Sequence, residues 1–301
     1  MSPRVGGWVS GESQVHRFDP IFPVIDFVNA IAFGGDSQDA FFRRSGEGGI
    51  WVGLGNAYRL SLSGRIDRDR AMESRTLWSL FGGRSRPRPF RAIDPGETRM
   101  LGCDLRFRGG KTAPWLTVEV RGETGRTASP GAPFVGTRDM RGTFTARPIL
   151  PGGRRLAIRG KAMMGDADLP LQDRLYLGGS LTLRGYDRGA LTGRNGYHVG
   201  GEFFMNRDIV GWLPWIPDRG LGLEAFLAGD HGRILSDRSE RAGERTGALT
   251  SAGIGFAWPV GMPGISRILV GFHRGLGRGD RVWRIRLDAE SSESGEADGR
   301  R

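Results

Sequence analysis

Apolar and ionic side chains take turns along one segment of this chain after another, and a period of two is the signature of an extended strand with two unlike faces. Over residues 58–67, Tyr58, Leu60, Leu62, Gly64 and Ile66 fall on one side, with Arg59, Ser61, Ser63, Arg65 and Asp67 on the other. Residues 116–123 set Leu116, Val118 and Val120 against Thr117, Glu119, Arg121 and Glu123. Residues 155–164 set Leu156, Ile158, Gly160, Ala162 and Met164 against Arg155, Ala157, Arg159 and Lys161. Near the end, Trp283, Ile285 and Leu287 oppose Val282, Arg284, Arg286 and Asp288.

No apolar run approaches the roughly 18 residues that a spanning helix needs, which excludes a helical membrane protein. A transmembrane β-barrel remains open, because alternating lipid-facing and lumen-facing residues average to the observed mean hydropathy of −0.35. A cation on the lipid face costs roughly 2–4 kcal/mol near the midplane, so a one-residue slip of the Arg155 segment, exposing its cations, would cost on the order of 6–12 kcal/mol. The register is fixed by that penalty.

Read this way, strands fall at approximately 24–34, 48–55, 57–68, 97–108, 115–124, 139–148, 154–165, 196–208, 219–229, 249–259, 266–274 and 280–288. The expected fold is an all-β, antiparallel transmembrane barrel of about twelve strands over residues 1–288. An even number keeps both ends on the periplasmic side, and an extra strand at residues 5–10 would spoil that parity. Residues 289–301, acidic and Ser-rich, read as a disordered tail. Short turns at 54–57 and 151–153 alternate with long polar stretches at 82–96, 166–195 and 231–250, as short periplasmic turns and long external loops do. Trp212 and Trp215, in the segment 209–217, then suit a periplasmic interface.

Glycine supplies 51 of the 301 residues without any collagen repeat, which suits turns, bulges and close-packed walls. The net charge of +11 raises nucleic acid as a partner, but the cations are spread along alternate strand positions and through loops, such as Arg84, Arg86, Arg88 and Arg91. A polar lumen accounts for them, and no nucleic acid is expected. Cys103 is the single cysteine, so no internal disulfide forms. The first residues show no charged and then apolar leader, although an outer-membrane protein must be exported; the expectation is a chain incomplete at its N-terminus.

The stretch 166–195 is too long for an ordinary connection, and loops of that length tend to be functional or disordered. Gly178, Gly179 and Gly185 permit tight backbone turns, while Leu181, Leu183 and Tyr186 are apolar enough to pack inward. If this loop enters the lumen, Arg184 needs anionic partners there. Alternation puts Glu202 on the inward face with His198, Gly200 and Phe204, and Asp230 on the inward face with Glu224 and Phe226. A planar guanidinium can bridge two such carboxylates.

The order LYLGGSLTLRGYD, then YHVGGEFF, then LEAFLAGDHGRI, resembles the C-terminal half of the BamA/TamA superfamily of outer-membrane assembly barrels, the bacterial surface antigens. The resemblance implies that Arg184, Gly185 and Tyr186 tip an external loop folded back into the barrel, with Arg184 against Glu202 and against Asp230 of the strand-end Asp230–Gly232 motif. It further implies a barrel in the bacterial outer membrane that inserts other barrel proteins or passes substrates across. A weak seam would offer an edge to an incoming strand, its last strand carrying Val282, Trp283, Ile285 and Leu287. Implied partners are outer-membrane lipid and lipopolysaccharide, client barrel or secreted proteins, and periplasmic or lipoprotein partners. Three features depart from the family: no periplasmic POTRA repeat is visible, about twelve strands are read where the resemblance implies a barrel of about sixteen, of which these would be part, and the chain runs past the last strand instead of ending on an aromatic.

Catalytic signatures are not found: no GxSxG elbow, Walker loop, HExxH or EF-hand pattern. His16, His198, His231 and His273 read as solvated or lumen residues and not as metal ligands, and neither enzyme chemistry nor a cofactor or metal is expected. Two other readings are a passive pore with a charged lumen and a soluble basic β protein that binds nucleic acid. Outward stripes of Leu, Ile, Val and Trp disfavour the latter, since they would have to face water.

Overall fold

The computed structural model describes residues 3–17, 40–71, 93–110, 115–151, 154–179, 181–187, 189–208, 222–235, 245–262, 265–277 and 282–290. Its strands are β1 (Pro3–Arg17), β2 (Ala40–Leu54), β3 (Tyr58–Ala71), β4 (Gly96–Gly109), β5 (Leu116–Ala128), β6 (Val135–Ala146), β7 (Arg155–Gly165), β8 (Leu175–Leu177), β9 (Leu191–Gly193), β10 (Gly196–Asp208), β11 (Glu224–Ile234), β12 (Gly247–Met262), β13 (Ile265–Gly275) and β14 (Trp283–Glu290). All but β8 and β9 join one 12-stranded antiparallel sheet in which each strand pairs with the next along the chain; β8 and β9 pair with each other. Among the described residues, β1 and β14 are the two edges of this sheet and are not paired to each other.

The side-chain pattern is that of a membrane wall. On β3, Tyr58, Leu60, Leu62 and Ile66 are about half exposed, whereas Ser63, Asp67 and Asp69 on the opposite face are 6%, 1% and 4% exposed. Greasy residues outside and ionic ones inside reverse the order of a water-soluble sandwich and match a barrel with a polar interior. The inward ions neutralise one another from strand to strand. Arg65 on β3 reaches Asp67 and Glu123 of β5, and Arg121 reaches Glu123 and Glu47 of β2.

Adjacent strands are joined at one end, the short-turn end, by residues 55–57, 110–115, 147–154, 209–223 and 263–264, and at the other, the long-loop end, by 18–39, 72–95, 129–134, 166–195, 235–246 and 276–282. Pro3 pairs with Leu54 and Glu290 with Arg267, so both ends of the sheet lie at the short-turn end.

The strand count of twelve stands, but its membership differs from the reading above. The segment 5–10 belongs to a full strand, β1, and counts among the twelve, so it does not upset the parity. The segment 24–34 lies outside the described residues, as do Arg84, Arg86, Arg88, Arg91, Trp212 and Trp215. β11 is shifted toward the C-terminus from 219–229 to Glu224–Ile234. β14 begins at Trp283, so Val282 precedes the last strand, and Ala289 and Glu290, assigned to the tail, continue it.

Candidate functional site

Loop residues 166–195 touch widely separated strands of the sheet, and those contacts require the sheet to curl. β2 and β14 stand ten neighbours apart in the sheet order, so in a flat sheet they would be roughly 48 Å apart at about 4.8 Å per step. Yet the loop binds Arg43 of β2 through Asp173 and Arg284 of β14 through Asp187. Asp173 and Asp187 lie near the two ends of a loop folded on itself by the β8–β9 pairing. The inner face therefore wraps around the loop.

The loop has structure of its own. A 3-10 turn at Leu171–Asp173 precedes the β8–β9 ladder, in which Leu175 meets Gly193 and Leu177 meets Leu191. Gly178 and Gly179 take φ values of 112° and 97°, a region that side chains with a Cβ resist, and turn the chain out of β8. Leu177, Leu183, Tyr186 and Leu191 then pack with Met163 and Ile234 of the wall in one buried apolar cluster. Gly232 faces this cluster, where a Cβ would come 2.9 Å from Leu177 and 3.4 Å from Leu183. Leu181, expected to point inward, is instead exposed.

At the tip, Arg184 is 6% exposed and fully engaged. Its Nε and Nη2 donate to Asp230 Oδ2 and Oδ1 at 3.0 and 2.8 Å, and its backbone N–H donates to Oδ2 at 3.2 Å. Its Nη1 donates to Glu202, and Nη2 also reaches the Gly201 carbonyl at 3.4 Å. Arg159 of β7 donates to Glu202 from the other side, and Ser251 of β12 donates to Asp230 at 2.9 Å. Arg159, Glu202, Arg184 and Asp230 thus form a row of alternating sign whose formal charges cancel, the condition under which buried ions are tolerated. His198 and His273 lie buried near this row, whereas His231 faces outward; its ring nitrogens meet Thr250 Oγ1 at 2.9 Å and Tyr197 Oη at 3.3 Å.

Gly185 is fixed by close approach: a Cβ there would lie 2.5–2.6 Å from the Arg274–Gly275 backbone of β13 and from Ser251. Next to it, the Tyr186 hydroxyl donates to the Thr250 carbonyl and accepts from the Gly277 N–H, both at 3.0 Å. The Arg-Gly-Tyr tip is thus held by β10 and β11 at Arg184, by β12 and β13 at Gly185, and by β12 at Tyr186.

Two groups of contacts carry no local sequence signal. The first is the clasp from β14. Arg286 donates from Nε to the Arg184 carbonyl at 3.0 Å and from Nη2 to the Tyr186 carbonyl at 2.7 Å. Arg284 donates from Nη1 to the Gly185 carbonyl at 2.6 Å and grips Asp187 at 3.1 and 3.2 Å. The Arg284 hydrogen bonds hold the Asp187 carboxyl below the usual carboxylate range. Trp283 and Ile285, which alternate with these arginines, point outward.

The second is the root of the loop. Arg43 grips Asp69 with two hydrogen bonds of 2.7 Å and reaches Asp173 at 3.2 Å. Gln172 donates to Asp69 at 2.8 Å, and the Asp94 N–H donates to Gln172 Oε1 at 3.0 Å. Arg141 of β6 caps the Asp173 carbonyl at 3.3 Å. The alternation places Arg65 and Asp67 on the inner face, where both lie, but gives no sign of the cation that arrives from β2.

A wall with an apolar exterior and an inward loop tethered by an arginine defines an outer-membrane type of barrel. Residues 147–268 match the Omp85 superfamily domain, a span that contains the whole loop and its Glu202 and Asp230 partners. The fold is similar to that of BamA from Haemophilus ducreyi lacking POTRA domains 1–3, at 13% identity and a TM-score of 0.58, over 96% of this chain and 59% of that one. It is also similar to CdiB from Acinetobacter baumannii, at 14% identity and a TM-score of 0.51, over 95% of this chain and 47% of that one. The chain therefore spans about half the length of these structures. No curated protein sequence matches it. These matches support the resemblance read from the sequence: the segment 147–268 is similar to the Omp85 superfamily domain, and the fold is that of a BamA-like barrel.

Proposed function

We propose that this barrel inserts β-barrel proteins into the bacterial outer membrane, or passes proteins across it, using the seam between β1 and β14. The observation that carries this reading is the clasp: the last strand of an unpaired edge is fastened to the Arg-Gly-Tyr tip by Arg284 and Arg286. A seam must open without the barrel collapsing, and a loop anchored on both halves of the inner wall braces it while β14 moves. The edges that β1 and β14 form among the described residues present backbone donors and acceptors to which an incoming strand adds. The process needs hydrogen-bond exchange and no covalent step, enzyme or cofactor. Clients are barrel or secreted proteins, assisted by periplasmic or lipoprotein partners.

A passive pore is the second reading, favoured by a lumen cavity of about 330 Å³ beside the loop root, lined by Arg43, Arg141, Lys161 and Arg174. The two separate in liposomes. The chain, refolded into vesicles, is expected to speed the folding of a small outer-membrane barrel, followed by its heat-modifiable gel shift, and Arg284→Ala/Arg286→Ala is expected to reduce that gain. Ion conductance without any acceleration of folding favours the pore and defeats the assembly reading.

A further inference from the structure

Inward cations account for the lumen, but not for Arg44, Arg68, Arg70, Arg99, Arg126 and Arg138, which alternation puts on the outer face at the long-loop end of β2–β6. The register stacks them in adjacent rungs: Arg44 beside Arg68, Arg99 beside Arg126, and Thr124 beside Arg138. Glu97 is the one carboxylate on these outward faces at that end among the described residues, and it pairs with Arg68 at 2.8 Å and Arg99 at 2.7 Å. The next rungs toward the short-turn end are apolar, with Leu62, Leu101, Leu105 and Val120 exposed. The other wall differs. At the same end, the outward faces of β7 and β10–β14 carry Met164, Tyr197, His231, Arg233, Arg274 and Trp283.

The height of the arginine rungs follows from strand length. β3 and β4 are 14 residues each, which at about 3.4 Å per residue and a tilt of about 40° gives a height of roughly 36 Å. The apolar band of such a barrel is about 25 Å tall, so the outermost rungs overhang it into the headgroup layer. Below them the wall is hollowed. A groove of about 730 Å³ runs past Val9, Gly46, Gly48, Gly64, Ile66 and Leu101, with Arg99, Arg126 and Phe134 at its charged end. The Arg99 guanidinium lies 5.0 Å over the Phe134 ring. A Cβ at Gly46, Gly122 or Gly136 would meet nothing within 4 Å, so no internal packing requires glycine at these outward positions. Glycine inside a strand weakens it and commonly marks the close approach of something else.

We infer that the outer face of β2–β6 is a docking site for a phosphorylated lipid of the outer leaflet, its phosphate on Arg99, Arg126 and Arg138 and its acyl chain in the glycine-floored groove. Charge complementarity selects an anion, arginine suits the paired oxygens of a phosphate, and the apolar groove directly beneath selects a lipid over a free ion. The inference rests on the membrane-barrel reading but not on assembly activity.

The test is native mass spectrometry of the chain folded in detergent, titrated with bisphosphorylated lipid A, dephosphorylated lipid A and inorganic phosphate, each variant first shown to be folded by heat-modifiable mobility. Retention of the phosphorylated lipid is expected to exceed that of the dephosphorylated lipid at least tenfold, with inorganic phosphate unable to displace it. Arg99→Gln/Arg126→Gln/Arg138→Gln is expected to weaken retention on the order of a hundredfold, at about tenfold per 1.4 kcal/mol and about 1 kcal/mol per cation. Gly46→Leu is expected to weaken it by filling the groove, while Arg233→Gln/Arg274→Gln on the other wall leaves it unchanged. Equal retention of both lipids, an equal loss with the other-wall variant, or displacement by inorganic phosphate overturns the inference while the folded barrel stands. A wild-type chain with no heat-modifiable form overturns the barrel reading and this site with it.

Discussion

The loop is moored twice, and the two moorings have opposite polarity. At the tip the cation belongs to the loop and the acids to the wall, Arg184 lying between Glu202 and Asp230. At the root an acid belongs to the loop and the cation to the wall, Asp173 lying beside Arg43. The tip is a closed system, because its charges cancel and Arg184 is bound from side chain and backbone alike. The root is looser: Arg43 already holds Asp69 with two of its three nitrogens, and Asp173 takes a single 3.2 Å contact from it. Energetically the tip is the anchor, and the root sets where the loop enters the lumen.

Breaking the tip gives the largest effect. Arg184→Ala leaves Glu202 and Asp230 buried without their shared cation, and removing one partner of a buried pair costs about 3–5 kcal/mol. The expected outcome is a lower heat-modifiability midpoint and protease cleavage within 166–195. Arg184→Lys keeps the charge but not the forked geometry, and is expected to recover only part of the loss. Wild-type protease resistance in Arg184→Ala places the holding energy elsewhere.

Breaking the root costs less. Asp173→Asn removes the ionic contact but keeps the backbone carbonyl that Arg141 caps, so a loss of about 1 kcal/mol is expected. Combined with Arg184→Ala, it is expected to add less than its single cost, because a loop already released from the tip no longer holds the root in register. Full additivity in a denaturant titration of the double variant shows two independent moorings and removes the case for a brace.

The same contrast decides what was legible in the chain. The bounds of β10 follow directly from the sequence, since His198, Glu202 and Phe204 alternate with Val199, Gly201 and Phe203. β11 was placed too early because Asp230, His231 and Arg233 read as a polar strand end, whereas Arg184 neutralises Asp230 and lets the strand run on to Ile234. The tip was readable because a loop arginine between glycines needs acids and two inward acids were on offer. The root was not: Gln172 and Asp173 sit in an ordinary polar stretch, and Arg43 lies 130 positions from Asp173. The β14 clasp was hidden for another reason, since Arg284 and Arg286 bind mainly backbone carbonyls, which every residue carries.

The smallest effect sharpens the comparison at its exposed margin, the Asp187–Arg284 contact. The folded Asp187 carboxyl titrates below its ordinary value of 3.8, so its contribution is complete above that value and is lost as pH falls through the lowered one. Between pH 5 and 8 the clasp is therefore expected to be insensitive to pH, and protease resistance of the loop to stay flat across that range. Asp187 is exposed, and screening limits what its ion pair contributes, so Asp187→Asn is expected to change the midpoint far less than Arg286→Ala, which removes a charged donor from each of two backbone carbonyls. If the two variants lose equal stability, the clasp works through charge; if Arg286→Ala loses more, β14 is held to the loop through the loop's backbone, and its hold is the same at any pH in that range.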